Sequence, residues 1–191
     1  ENLEGFPESI KFLSKNKTWS SKKEVPLLSD LIYCKEDFRV AIENYLEPYL
    51  NYYVVQSVDE AYAAIKLLNQ SQKGKANFFV LDAFKGYDSP MAMLPNNTER
   101  AFDMIETEEN YQNLINFLLE NVLVTESDDF KTEVNDKEIT LLSKSGRFIK
   151  RKFSISGGSV GLFEGKKIGR KKNLEVLEKV IKQLEKEENK V

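Results

Sequence analysis

Two hydrophobic periods alternate along the chain. Phe38, Ala41, Ile42, Tyr45, Leu46 and Tyr49 fall at i, i+3, i+4, i+7, i+8 and i+11, the stripe of an amphipathic helix. Pro48 lies inside that stripe, so the helix is expected to kink or end near Glu47. Tyr52 to Gln56 is rich in aromatic and β-branched residues and reads as a strand. Ser57 or Asp59 can cap a following helix that carries Val58, Ala61, Tyr62, Ile65 and Leu68. Leu28 to Tyr33 before these elements and Phe78 to Leu81 after them read as strands. The order β-α-β-α-β predicts an α/β unit with parallel pairing.

Lys85 to Arg100 carries Gly86, Asp88, Pro90, Pro95, Asn96 and Asn97, the chemistry of a long loop or linker. The pattern then restarts. Ala101 to Glu106 reads as a strand; Tyr111, Leu114, Ile115, Leu118 and Leu119 mark a helix; Val122 to Thr125 reads as a strand. Glu138 to Leu142 and Arg147 to Ser156 read as a hairpin turned at Ser145-Gly146. Asp30-Leu31-Ile32 is echoed by Asp103-Met104-Ile105, and Tyr45-Leu46 before Tyr52-Tyr53-Val54-Val55 by Phe117-Leu118 before Val122-Leu123-Val124. These echoes predict two related lobes. The last helix sets Leu174, Leu177, Ile181 and Leu184 at alternating spacings of three and four, a coiled-coil seam. No glycine or proline stops it before Val191, and the chain opens on Glu1, so a segment cut from a longer molecule is expected.

Composition narrows the chemistry. The 191 residues include no histidine and one cysteine, Cys34. Histidine-dependent catalysis, histidine metal sites, internal disulfides and cysteine zinc sites are therefore excluded. Cys34 follows the apolar run Leu31-Ile32-Tyr33 and reads as a small buried hydrophobe. No apolar run approaches a membrane span and no signal peptide is visible. Glu108-Glu109 and the Glu126, Asp128, Asp129 group read as solvated or helix-dipole carboxylates. Trp19, among Lys15, Lys17, Lys22 and Lys23, reads as a loop anchor. No catalytic residue, metal site or cofactor is expected.

Charge is uneven. The net charge is −3, yet residues 146–191 hold 13 Lys+Arg against 6 Asp+Glu, leaving 15 cations and 25 anions elsewhere. Lys150, Arg151 and Lys152, expected within a strand, and Lys166, Lys167, Arg170, Lys171 and Lys172, at the entrance of the last helix, are candidate phosphate contacts. A solvated charged face accounts for them equally well. No base-reading motif accompanies them, so DNA contact through them would be weak and independent of sequence. Gly161-Leu162-Phe163-Glu164-Gly165-Lys166 is one residue short of a phosphate loop, with Lys167 where Ser or Thr should bind Mg²⁺. A nucleotide-binding enzyme is the rival reading, and an unrelated scaffold the other. Paired glycines after a strand instead favour close approach of another backbone.

From about Gly5 to Glu185 the chain resembles the hinge domain of structural maintenance of chromosomes (SMC) proteins, bacterial type. Four segments carry the likeness in order: Pro26 to Ile32; Phe38 to Leu50 with Tyr53-Val54-Val55 and Asp59-Glu60-Ala61; Gly74 to Asp82; and Leu142 to Ser159. Lys75 stands where arginine is usual, Glu120 where glycine is usual, and the second glycine pair is reduced to Gly161-Leu162. The resemblance implies a mixed α+β fold of the α/β type: two small related lobes with mixed sheets, followed by the start of a coiled-coil helix. Its parts would be an N-terminal lead-in (1–25), lobe I (26–95), lobe II (96–165), and the basic junction with the start of a coiled-coil arm (166–191).

It further implies a non-catalytic homodimerisation module of a cytoplasmic, nucleoid-associated chromosome condensation and segregation ATPase. The ATP-binding parts would lie outside this chain. The arm would pair with the segment preceding residue 1, and no membrane partner is implied. The expected dimer contact joins Gly157, Gly158, Ser159 and Gly161 to the strand carrying Ala76, Phe78 and Val80.

Overall fold

The computed structural model describes residues 5–89, 94–128, 131–161 and 165–190. Its helices are α1 (Glu8–Lys15), α2 (Leu28–Leu31), α3 (Glu36–Leu46), α4 (Val58–Ser71), α5 (Gln112–Leu118) and α6 (Arg170–Glu188). Its strands are β1 (Tyr33–Cys34), β2 (Tyr53–Val55), β3 (Phe78–Val80), β4 (Thr98–Arg100), β5 (Ile105–Glu106), β6 (Val122–Thr125), β7 (Thr140–Ser143), β8 (Phe148–Lys150) and β9 (Ile155–Gly157).

The elements with a clear period form where expected. α3 ends at Leu46 and passes into a 3₁₀ turn, Glu47–Tyr49, with Pro48 in its first turn. There proline needs no N–H donor. The Ser57 hydroxyl accepts the Glu60 N–H at the start of α4. Ala61, Ala64 and Leu68 of α4 are buried, whereas Val58, Tyr62 and Ile65 face outward. The apolar stripe of α4 is thus wider than the face it buries.

Three strand expectations are corrected. Leu28 to Tyr33 is not one strand but helix α2 followed by the two-residue β1. The Asp30 carboxylate accepts the Leu27 N–H at 3.1 Å, while the amides of Leu28 and Ser29 donate to the carbonyls of Tyr52 and Leu50. These bonds turn the chain. Ala101 to Glu106 likewise opens as a 3₁₀ turn, Ala101–Met104, before β5. The preceding β4 arises within the segment expected to be loop. Arg147 to Ser156 is broken by a tight turn in which the Arg151 N–H donates to the Ser154 carbonyl at 2.8 Å. Lys150 therefore closes β8, and Arg151 and Lys152 lie in the turn.

β2, α4 and β3 form a parallel β-α-β unit. β1 does not join that sheet. It pairs antiparallel with β5, Tyr33 opposite Glu106 and Cys34 opposite Ile105, and so joins the two halves of the chain. The second half carries a five-stranded sheet, β4-β6-β7-β8-β9, with β6 and β7 parallel.

The larger core runs through that joint. Leu28, Ile32, Ile42 and Leu46 pack in one cluster with Leu114, Ile115, Val124, Leu142 and Ile168. Each such side chain, once buried, contributes about 1.5–3 kcal/mol. A second cluster seats the N-terminal segment: Ile10, Leu13 and Trp19 pack with Tyr53, Val55, Ala64 and Leu68. Trp19 donates its indole N–H to the Leu13 carbonyl at 3.0 Å and meets the Tyr53 and Phe78 rings edge-on. It is the anchor expected, with its ring turned inward.

Candidate functional site: two open edges and the arm junction

β9 has β8 on one side and, among the described residues, no strand on the other. Its register sets Ile155 opposite Lys150, Ser156 opposite Ile149 and Gly157 opposite Phe148. The Gly158 N–H donates to the Arg147 carbonyl and the Arg151 N–H to the Ser154 carbonyl. Antiparallel alternation then turns the N–H and C=O of Ile155 and Gly157 outward, along the open edge. Residues 151–161 are all exposed, Phe153 at 83% and Ile155 at 55%. An exposed edge with apolar side chains is a template for another strand. A Cβ on Gly157 would collide with the Arg147 carbonyl oxygen and press on Phe148. Glycine at 157 is therefore required first by the chain's own β8–β9 pairing. No atom lies within 4 Å of a Cβ built on Gly158.

A second open edge is β3, which among the described residues pairs with β2 alone. Phe78 and Val80 are half-buried and, with Ala76, pack on the N-terminal core cluster. Phe79 turns the other way into a cluster with Tyr52 and Tyr49, at ring-centre distances of 4.7 and 5.9 Å. Of the expected contact residues, Gly157 lies in β9 and Phe78 and Val80 in β3, while Ala76 precedes β3 and Gly158, Ser159 and Gly161 follow β9.

The junction to α6 is organised by α3. Glu43 is 3% exposed. Its Oε1 accepts the Gly165 N–H at 2.9 Å, and its Oε2 accepts the N–H groups of Lys167 at 2.8 Å and Ile168 at 3.4 Å. Ile168 is fully buried in the core. Gly165 has φ +87°, and a Cβ there would press on Val40 at 3.1 Å. At the next position of α3 the Asn44 side chain donates to the Gly146 carbonyl at 3.1 Å. These roles of Glu43 and Asn44 were not visible in the sequence beyond the motif Ala41-Ile42-Glu43.

The same bonds bear on the phosphate-loop reading. A phosphate loop offers backbone N–H groups to an anion. Here the N–H groups at 165, 167 and 168 already meet an anion, the Glu43 carboxylate of the same chain. Leu162, Phe163 and Glu164 lie outside the described residues.

The described candidate cations meet different partners. The Lys150 ammonium donates to the Thr132 carbonyl at 2.7 Å. Arg151 sits over the Tyr45 ring at 5.9 Å, and Lys152 over Phe153 at 5.2 Å. Lys167 pairs with Glu47 at 3.2 Å. Glu43 and Tyr45 are two residues apart on α3, so they point about 200° apart. Arg151 therefore meets the Tyr45 side of α3, and Lys167 the side that carries Glu43 and leads to Glu47. The side chains of Arg170, Lys171 and Lys172 lie outside the described residues.

Several remaining candidates meet partners within the chain. Cys34 is buried, and burial pushes its thiol up to about 11. Glu126 pairs with Lys144 at 3.5 Å and Asp128 with Arg147 at 3.6 Å. Among the described residues no three acidic or cysteine side chains group as metal ligands. Glu120 accepts the Tyr87 hydroxyl at 2.7 Å, binding the end of the first half to the turn that follows α5. Asp129 lies outside the described residues. No helix among the described residues is long and apolar enough to cross a membrane. Beyond the junction, residues 178–190 are exposed, Ile181 and Leu184 among them. Leu174 and Leu177, the other half of the expected seam, have side chains outside the described residues.

The described body is thus two-part, with an open strand edge on each part and a helix leaving it. The family described as "SMC proteins Flexible Hinge Domain" matches residues 21–129, and the chain belongs to that family. It is 30% identical over 181 residues to the chromosome partition protein Smc of Chlorobaculum tepidum, covering 94% of this chain and 15% of that protein. It is 27% identical over 164 residues to structural maintenance of chromosomes protein 4 of Homo sapiens, covering 83% of this chain and 13% of that protein.

The fold matches a crystal structure of an asymmetric dimer of the Geobacillus stearothermophilus SMC hinge domain, with TM-score 0.71, 19% identity, and coverage of 96% of this chain and 76% of that one. A Pyrococcus furiosus Smc hinge domain with an extended coiled coil matches with TM-score 0.64, 21% identity, and coverage of 95% and 64%. The chain thus spans about one seventh of the length of the curated relatives it matches.

Proposed function

We propose that this chain is the non-catalytic homodimerisation hinge of a chromosome condensation and segregation ATPase. It would join two long coiled-coil arms and act on the cytoplasmic, nucleoid-associated chromosome. Residues 26–95 and 96–165 serve as its two lobes, residues 1–25 lead in, and residues 166–191 form the basic junction and the start of an arm. The arm pairs with the segment preceding residue 1, and ATP is handled by parts of the protein outside this chain. The observation that carries this reading is the pair of open edges. β9 of one copy, with Gly157, Gly158, Ser159 and Gly161, meets β3 of the second copy, with Ala76, Phe78 and Val80. Strand addition satisfies the outward N–H and C=O groups of both edges, and a solved relative is described as a dimer of hinge domains.

Weak, sequence-independent DNA contact at the arm junction, through Lys150 to Lys152 and Lys166 to Lys172, belongs to the same proposal. Its support is the basic charge of residues 146–191 against an acidic remainder. Light scattering tests the central claim. A mass near twice 22.0 kDa is expected, and a monomer at tens of micromolar overturns it.

A further inference from the structure

The geometry points to Glu43 as the residue that fixes the direction in which α6 leaves the body. Three backbone N–H groups within four residues converge on its one buried carboxylate. Hydrogen bonds to an ionised acceptor are about twice as strong as neutral ones, and a carboxylate buried without partners would be costly. Carboxylate and junction therefore hold each other. The junction is gripped on both sides of these bonds: Gly165 lies against Val40, and Ile168 is sealed in the core that both halves share. Gly169, in the left-handed conformation, then starts α6, whose residues 178–190 are exposed on every side. Near its start α6 also lies against α2, and its residues 178–190 extend beyond that contact into solvent. Its direction is thus set at this root, where Glu43 holds residues 165–168 and α2 lies alongside.

The consequence is mechanical. α3 also carries Asn44, which holds the β7–β8 turn through Gly146, and β8 supports the open edge strand β9. One helix thus grips both the root of α6 and the sheet that ends in the proposed dimer edge. A tilt of the arm is passed to that sheet as rotation of α3 rather than absorbed in a loose linker. This rests on the reading of α6 as the start of an arm. Glu43 is a positioning residue in it, acting through backbone it holds.

The test uses the whole chain with Tyr62→Cys and Lys182→Cys spin labels, both at exposed sites, and hydrogen exchange on the unlabelled chain. In the unmodified protein the amides of Gly165, Lys167 and Ile168 should be protected. Glu43→Gln leaves one acceptor oxygen and turns an NH₂ group toward N–H donors. It should speed exchange at those three amides about tenfold or more, leave the β6 and β7 amides unchanged, and broaden the label distance distribution. Lys167→Ala, which removes only the exposed pair with Glu47, should do neither.

Unprotected junction amides in the unmodified chain, or an unchanged distribution in Glu43→Gln, overturn the assignment. Should Glu43→Gln fail to fold, Gly165→Ala decides. It presses the junction off Val40 and should broaden the same distribution, and an unaltered one overturns the assignment. Solution mass is read on the same samples. A monomeric unmodified chain breaks the hinge reading and leaves the Glu43 clamp standing.

Discussion

The two halves of this molecule are built to one plan and completed differently. In the first, Leu27 bridges Tyr53, α2 makes one turn, β1 follows, α3 crosses, and β2 pairs in parallel with β3. In the second, Arg100 pairs with Leu123, a 3₁₀ turn replaces α2, β5 follows, α5 crosses, and β6 pairs in parallel with β7. The first half has Pro26 where the second has a full edge strand. Proline lacks the N–H that would extend the ladder, so only the Leu27 bridge remains. The first half crosses from β2 to β3 through the fourteen-residue α4, while no helix is present among the described residues between β6 and β7. The second half alone adds β8 and β9. Each half therefore ends in an open edge of different make: β3 is backed by a buried aromatic cluster, and β9 is bare.

If the halves are one cooperative body, a cavity on either side of the joint must weaken both. Ile42 and Leu114 are fully buried, one from each half, in the same cluster. Ile42→Ala and Leu114→Ala should each cost about 2–5 kcal/mol. Both should lower a single denaturation transition that is identical by fluorescence and by far-ultraviolet circular dichroism. Two transitions, each sensitive to one variant, would show halves that fold independently.

The bare edge is broken without harming its own sheet by Ile155→Pro. The N–H of Ile155 points outward, so its loss leaves the β8–β9 bonds in place, and proline is tolerated on an edge strand. Dimerisation should weaken about tenfold or more, measured by sedimentation across a concentration series, with the melting temperature of the monomer nearly unchanged. Gly157 is the wrong position for this experiment, because its own chain already forbids a Cβ there. A dimer of unchanged affinity would move the interface away from β9.

How much of this was legible depended on where each residue's partners lie. α3, α4 and β6 were readable because their periods are local and their caps, such as Ser57, act within three residues. The stretch Leu28 to Ile32 was not, because a short apolar run suits a strand or a helical turn. The choice is made by the carbonyls of Leu50 and Tyr52, some twenty residues away. The break in Arg147 to Ser156 carries no glycine or proline, so the turn at Arg151 to Ser154 left no mark. The two basic clusters were readable as residues but not by partner: the Tyr45 ring under Arg151 and the Glu47 carboxylate beside Lys167 lie more than a hundred residues earlier in the chain. Glu43 shows the limit most plainly: its partners lie 122 to 125 residues onward. Nothing in Ala41-Ile42-Glu43 announces a buried carboxylate that fills an anion-binding turn.

The halves also differ in how they meet alkali. Tyr53 donates its hydroxyl to the Ile10 carbonyl at 2.8 Å, and burial, with Asp30 adding to it, pushes its phenol up from 10.0 to about 12. Cys34 is raised from 9.0 to about 11. A raised pKa means the folded state holds its proton after the unfolded chain has lost it. This stabilisation is complete below pH 9 and is lost as pH rises toward 12. Leu123, in the place that matches Tyr53, titrates at no pH. Tyr53→Phe should cost about 1 kcal/mol at neutral pH for the lost hydrogen bond and flatten the fall in stability between pH 10 and 12. Equal alkaline slopes in the two proteins would place the sensitivity elsewhere.

The smallest expected effect separates the two basic clusters. Had all eight candidate cations faced one DNA backbone, four to six contacts would give a log-log salt slope of roughly −3 to −5, at ~0.9 per contact. With Arg151 on the Tyr45 side of α3 and Lys167 on the Glu43 side, a single duplex should meet one neighbourhood well and the other poorly. Lys167 must also release Glu47, and Arg151 must leave the Tyr45 ring, before either touches a phosphate. Arg151→Glu with Lys152→Glu, and separately Lys166→Glu with Lys167→Glu, should therefore act unequally. The pair on the DNA-facing side should reduce the slope by about 2, the other by much less, as read by anisotropy with duplex DNA at several salt concentrations. Equal losses would mean that both groups reach the same duplex, which requires α3 to lie along it rather than between the clusters.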